Sequence, residues 1–324
     1  MTDETLSNLL HENRRFEPPA ELAASANLTA EAYERAAADP EAFWAQQAER
    51  LDWHQKWDRV LDWDNPPFAK WFVGGRLNAA YNCVDRHVEA GRGDKVAIHW
   101  VGEPEDDARS ITYAELQQEV SKAANALVEL GVRTGDRVAI YLPMIPEAIV
   151  TMLACARIGA PHTVVFGGFS SDALASRLAD CQARVVVTAD VGYRRGSASA
   201  LKPAVDEARS KAAANGHTVD KVLVVRRTGQ EVSWDDGVDV WWHDAVDGAS
   251  AQHECEFFDA EHPLYVMYTS GTTGKPKGCV WTHVSFLGSM VTRDMHICGD
   301  FKPTDRFFFM SDMGWMVGAM CACI

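Results

Sequence analysis

The sequence has no apolar run near the roughly 18 residues that a bilayer span requires. Its amino terminus, MTDETLSNLLHENRRFEPPAE, lacks the basic start and apolar core of a secretory signal. No membrane partner is expected, and the cytoplasm is the expected compartment. Positive charge is also scarce: 31 Lys and Arg stand against 46 Asp and Glu, a formal net charge of −15. An acidic surface argues against general nucleic-acid binding. An anionic ligand would then need local cations, for which Lys275, Lys277 and Arg194 are candidates. None of the eight cysteines (Cys83, Cys155, Cys181, Cys255, Cys279, Cys298, Cys321 and Cys323) forms a C-x-x-C pair. No metal site is expected from them, and the thiols are expected to be reduced. Internal repeats and low-complexity tracts are missing as well.

The most informative stretch is LYVMYTSGTTGKPKG, residues 264–278. Leu264 to Met267 reads as a buried strand. It runs into Thr269, Ser270, Gly271, Thr272, Thr273, Gly274, Lys275, Pro276, Lys277 and Gly278. Glycines let backbone N–H groups converge on an anion, hydroxyls add donors and the two lysines add compact positive charge. A polar surface turn between two strands is the alternative that composition alone allows. The nucleoside-triphosphatase loop is disfavoured, because it needs Ser or Thr straight after its lysine. Pro276 stands there and is not expected to continue into a helix.

The string YTSGTTGKPKG resembles the phosphate loop of AMP-forming acyl- and aryl-CoA synthetases, luciferases and peptide-synthetase adenylation domains. The run WFVGGRLNAAYNCVDRHV, residues 71–88, behind an aromatic-rich amino-terminal segment, narrows the resemblance to acetyl-CoA and propionyl-CoA synthetases. The chain is accordingly divided into an arm (1–28), a cap (29–90) and part of an adenylation domain (91–324). The chain stops at GAMCACI, inside an apolar run, so it is expected to be an amino-terminal portion, inactive alone.

The order of elements gives the fold class. Tyr33, Phe43, Trp44, Trp53, Trp57 and Trp63 recur at roughly helical spacing and read as an amphipathic helix pair packed on a larger body. A helix is expected from about Leu77. KVAIHW (95–100), RVAIYL (137–142), Thr163–Phe166, RVVVTA (184–189) and KVLVVR (221–226) then read as successive strands. Thr112 and Glu115 form a capping box for a helix ending at Gly131. Pro146 opens another helix, Ser171 caps a third, and residues 201–214 form a fourth. Non-alternating strands separated by helices imply an α/β fold with parallel sheets flanked by helices. Residues 227–260 read as an irregular acidic connection.

Three further sites follow from the resemblance. VVFGGFS implies that Phe166, Gly167 and Gly168 seat the adenine end of CoA. ADVGYRRG implies that Arg194 holds the 3′-phosphate of CoA; the second arginine of the family's Arg-x-x-Arg pair falls on Ser197, with Arg195 as a substitute. SDMGWMVGAM, after the strand-like RFFFM, implies that Trp315, Met316 and Val317 line the acyl pocket, where valine and threonine are usual at the last two positions. The family chemistry uses ATP, CoA and Mg2+. A carboxylate attacks the α-phosphate of ATP, and the CoA thiol then attacks the acyl-adenylate. The magnesium ligands and a catalytic lysine are expected beyond residue 324, so no catalytic residue and no metal ligand is assigned within the chain. The expected partners are a short carboxylate, ATP and CoA. A non-catalytic CoA- or nucleotide-binding protein is the alternative.

Overall fold

The computed structural model describes residues 14–104, 106–269, 274–308, 310–316 and 318. In chain order the strands are β1 (Arg59–Asn65), β2 (Phe68–Val73), β3 (Arg76–Leu77), β4 (Val96–Val101), β5 (Ala108–Thr112), β6 (Arg137–Tyr141), β7 (His162–Val164) and β8 (Ala183–Ala189). They continue with β9 (Val191–Arg194), β10 (Ser197–Ala200), β11 (Lys221–Val225), β12 (Asp239–Trp241), β13 (Phe258–Asp259), β14 (Pro263–Thr269) and β15 (Lys277–Thr282).

The core is a seven-stranded sheet of order β12-β11-β8-β6-β7-β14-β15. All neighbours are parallel except β14 and β15, which form an antiparallel hairpin. Its central strands are β-branched without alternation because helices cover both faces. Val185, Val186, Val187, Val222, Leu223 and Val224 are each at most 1% exposed. Burying one such side chain contributes about 1.5–3 kcal/mol. Helices Pro146–Arg157, Ser171–Cys181 and Lys202–Ala214 make the crossovers.

The local signals mostly hold. Thr112 and Glu115 close a capping box on helix Tyr113–Glu129. Pro146 occupies the first turn of its helix, where a missing N–H costs nothing. The cap of helix Ser171–Cys181 is Ser170, one residue earlier than expected; its hydroxyl accepts from the Ala173 N–H.

Other expectations need correction. KVAIHW does not join the parallel sheet: β4 pairs antiparallel with β5 in a separate two-stranded sheet. The aromatic segment does contain two short helices, Glu31–Ala38 and Pro40–Ala48, but residues 53–63 are not helical. Trp53, Trp57 and Phe72 pack as a cluster with centroids 4.9–5.5 Å apart. Tyr33 and Trp63 lie outside that core, 83% and 51% exposed. RFFFM forms no strand among its described residues, and Phe308 and Met310 are exposed. The 227–260 connection contains the short strands β12 and β13 and helix Trp242–Val246. Cys321 and Cys323 lie outside the described residues. Cys83, Cys155, Cys181, Cys255, Cys279 and Cys298 are free thiols. Burial pushes the Cys83 thiol up to about 12, so it is inert packing.

The LN-x-x-YNC-x-D run is structural. The Asn78 amide donates to the carbonyls of Ala156, Arg157 and Glu256, and its oxygen accepts the Ala80 N–H. Asn82 exchanges two bonds with the Asp52 backbone. Asp85 pairs with Arg157, and both side chains are buried. A second set joins the buried Lys202 to the buried Asp239 (2.9 Å) and to the partly exposed Asp206 (2.6 Å). No helix among the described residues is long and apolar enough to cross a membrane.

Candidate functional site

β14 carries the phosphate-loop motif to its start. Tyr268 pairs across the hairpin with Gly278, and Thr269 with Lys277. The end of the strand is tied to helix Ser171–Cys181: the Tyr268 hydroxyl donates to Asp180 at 2.6 Å, and the Arg177 guanidinium lies 5.3 Å over the Tyr268 ring. Burial, and then the Asp180 bond, raise the Tyr268 hydroxyl far above its usual pKa. Gly274, Lys275, Lys277 and Gly278 are exposed. Ser270, Gly271, Thr272 and Thr273 lie outside the described residues. The chain past Pro276 enters β15 rather than a helix, as the missing proline N–H suggests. Lys275 and Lys277 therefore stand exposed at the entry to β15.

A cleft of about 230 Å3 opens at the carboxyl ends of the parallel strands, where open α/β sheets place ligands. It gathers the chain following β6 (Leu142 to Ile145), the chain following β7 (Phe166 to Gly168), the β9 hairpin (Gly192 to Arg194) and Arg227 after β11. Phe166, Gly167, Gly168 and Arg194, singled out separately in the sequence, share this cleft. The Arg194 guanidinium lies 4.6 Å over the Phe166 ring. Gly168 makes that stacking possible, because a Cβ at that position would overlap Arg194 and stand 2.7 Å from the Phe166 ring. This wall of the cleft is thus a cation on an aromatic face, a contact worth about 0.5–2 kcal/mol. Tyr141 supports it from below, its hydroxyl 2.9 Å from the Phe169 carbonyl and 3.1 Å from that of Gly167.

Arg195 and Ser197 are not among the cleft residues. β9 and β10 form a hairpin whose two-residue turn is Arg195 and Gly196, with φ of +54° and +77°. Such primed turns match the twist of a hairpin. The turn directs Arg195 to solvent, and the Ser197 hydroxyl donates to the Arg194 carbonyl at 3.0 Å.

Two cleft residues, Trp100 and Arg227, had no motif to announce them, and the buried Asp190 behind them had no role assigned. Trp100 forms one wall, its ring N–H donating to the Met144 carbonyl at 2.7 Å. Arg227 lies between the rings of Trp100 and Tyr193, 5.3 and 5.4 Å from their centroids, and pairs with Asp107. Asp190, fully buried, accepts the N–H groups of Val191 (2.6 Å), Arg227 (2.8 Å) and Gly229 (2.7 Å). One carboxylate thereby fixes the β9 hairpin and the loop after β11 against each other. An acidic residue between a strand and a turn was the one available signal for it.

The Asp312 carboxyl also faces the cleft, and burial raises its pKa. It accepts the Gly314 N–H at 2.7 Å, and its carbonyl accepts the Trp315 N–H at 3.0 Å. This turn sets the Trp315 ring 6.3 Å from Phe166 and 6.4 Å from Phe169. Met316 packs against the core. Val317 lies outside the described residues. Among the described residues no group of three or more His, Cys, Asp or Glu could hold a metal ion.

Sequence comparison identifies the class to which this fold and cleft belong. Residues 84–324 match the family model described as AMP-binding enzyme, and the chain belongs to that family. Residues 29–83 match a second family model, described as acetyl-coenzyme A synthetase N-terminus. The chain is 63% identical over 319 residues to an acetyl-coenzyme A synthetase of Streptomyces avermitilis, covering 98% of this chain and 48% of that protein. It is 56% identical over 304 residues to one from Mycobacterium tuberculosis, covering 94% and 46%. A solved acetoacetyl-CoA synthetase from Streptomyces lividans superposes with a TM-score of 0.84 at 29% identity, covering 94% of this chain and 49% of that one. The chain spans about half the length of the relatives it matches.

Proposed function

We propose that this chain supplies the CoA cleft and the phosphate loop of an AMP-forming acetate–CoA ligase acting in the cytoplasm. In this reading residues 1–28 are an arm, residues 29–90 a cap, and residues 91–324 part of the adenylation domain. The substrates are a short carboxylate, ATP and CoA. Lys275 and Lys277, with the hydroxyls and N–H groups between Thr269 and Gly278, hold the β- and γ-phosphates. Catalysis then rests on positioning and charge rather than on covalent help from the protein. Phe166, Gly167, Gly168 and Arg194 take the adenosine 3′-phosphate end of CoA, with Arg195 and Ser197 at the rim. Trp315, Met316 and Val317 border the acyl group.

The observation that carries this reading is the convergence of Phe166, Gly167, Gly168 and Arg194 on one cleft at the carboxyl edge of the sheet. In a protein of the relatives' full length, Arg194→Ala should raise the KM for CoA while leaving acetate-dependent ATP–pyrophosphate exchange intact. Loss of one charge-assisted contact is worth about 1.5–3 kcal/mol, or roughly 10- to 150-fold. Equal losses in both half-reactions would remove the CoA assignment.

The acyl assignment has its own test. Met316→Val in that protein should shift the acetate-to-propionate kcat/KM ratio toward propionate, since one methylene in an apolar pocket is worth about 1–3 kcal/mol. A lowered Tm with an unchanged ratio would make Met316 a packing residue only.

A further inference from the structure

We propose that Arg227 is the second cationic ligand of the cleft and binds the phosphomonoester of a 3′-phosphorylated adenosine nucleotide together with Arg194. The inference rests on the reading of the cleft as a CoA site. A phosphomonoester carries about −1.5 to −2 charges at neutral pH, more than one guanidinium balances. The neighbours of Arg194 in sequence do not supply the balance. Arg195 sits in an exposed turn, and the Ser197 hydroxyl is turned onto the Arg194 carbonyl. Arg227 comes from a different strand yet lines the same cleft.

Its placement is over-determined. The Asp190 carboxylate holds the Arg227 and Gly229 N–H groups at 2.8 and 2.7 Å and also holds the Val191 N–H at the start of β9. The backbone carrying Arg227 is thus registered to the strand carrying Arg194. The Trp100 and Tyr193 rings flank the guanidinium, and Asp107 engages one of its three nitrogens, Nη2. A guanidinium has five N–H donors in a planar fork, so one carboxylate contact does not saturate it. The side chain is only 17% exposed. A group held this rigidly loses little freedom when an anion arrives, and its partly desolvated charge is screened little by salt. The cleft also carries acidic groups, Glu103 and Asp312. Glu103 is engaged by the Gly196 N–H and Asp312 by the Gly314 N–H, so each is held on a backbone donor.

The competing role for Arg227 is a clamp that pins the 102–107 turn through Asp107. Binding of CoA and of 3′-dephospho-CoA to the 324-residue chain separates the two, measured by calorimetry on the parent, Arg227→Gln, Arg227→Lys and Asp107→Asn. The parent should favour CoA. Arg227→Gln should weaken CoA by about ten-fold or more while 3′-dephospho-CoA changes less than about two-fold, and Arg227→Lys should recover part of the loss. Asp107→Asn should keep the preference for CoA, because it removes the clamp and leaves the cation. The proposal is overturned if Arg227→Gln discriminates as well as the parent, if it weakens both ligands equally, or if Asp107→Asn matches it. A parent that binds the two ligands equally, or binds neither, overturns the CoA reading itself and this inference with it.

Discussion

Alanine at Asp85 should destabilise the chain by about 3–5 kcal/mol, the loss seen when one partner of a buried ion pair is removed. The pair is Asp85 with Arg157, whose side chains are 8% and 2% exposed. Around it, Gln117 donates to Asp85 at 2.8 Å and Arg157 donates to the His253 carbonyl at 2.7 Å. Three separated segments therefore meet at one carboxylate, and a fourth joins them through Arg157. Without it the guanidinium stays buried with only a carbonyl in compensation. Thermal unfolding should shift down by on the order of 10 °C, from the usual few degrees per kcal/mol. The double variant Asp85→Ala/Arg157→Met should recover much of the loss, because removing both charges removes the desolvation cost. A single variant within about 1 kcal/mol of the parent would mean that Arg157 finds another partner, contrary to the geometry described.

Acid should destabilise the chain before its carboxylates titrate, because two histidines are buried without charge. His162 stacks on Tyr265, and His283 packs against Phe258 and His262. Burial pushes both rings down to about 3, with the neighbouring histidines His262 and His162 adding to the effect on His283. The Ala79 N–H donates to His283 Nδ1 at 3.0 Å, so protonation there breaks a bond as well. Unfolded, each ring titrates near 6.5. The unfolded chain therefore binds more protons between about pH 6.5 and 3, and stability falls as pH falls through that window. Each ring removes up to about 1.4 kcal/mol per pH unit, so the pair should remove roughly 4 kcal/mol between pH 7 and pH 5. Urea unfolding at both pH values measures this. His162→Phe should lower the pH dependence by about half; an unchanged slope would show that the ring is not buried neutral in solution.

How much of this was legible depended on whether a residue's role is local. Strands β6, β8 and β11 announce themselves because both faces are covered and their central positions are an unbroken apolar run. The capping box at Thr112 and Pro146 at its helix start are short-range signals, and they held. The sequences of β5, β9 and β10, ARSIT, VGYR and SASA, are short, partly exposed and without an apolar period, so nothing marked them as strands. That is also why β4 was assigned to the wrong sheet: its partner was invisible. RFFFM is apolar enough to read as a strand, yet Phe308 is 85% exposed; composition does not say what an apolar run packs against. In the cleft, Phe166, Gly167, Gly168 and Arg194 were legible from motifs. Trp100 and Arg227 were not, since they reach it from distant segments and only the folded sheet brings them together.

Asp190 has a consequence for how the cleft forms. It joins Val191 to residues 227–229 across a loop of more than thirty residues, and that loop closes only when β11 lies beside β8. The two arginines are then not a preassembled local unit but a late product of long-range closure, whose entropy is lost before any ligand arrives. A ligand touching both therefore reports on the global fold. It should protect amides throughout the sheet from hydrogen exchange, rather than only those of the two loops it contacts.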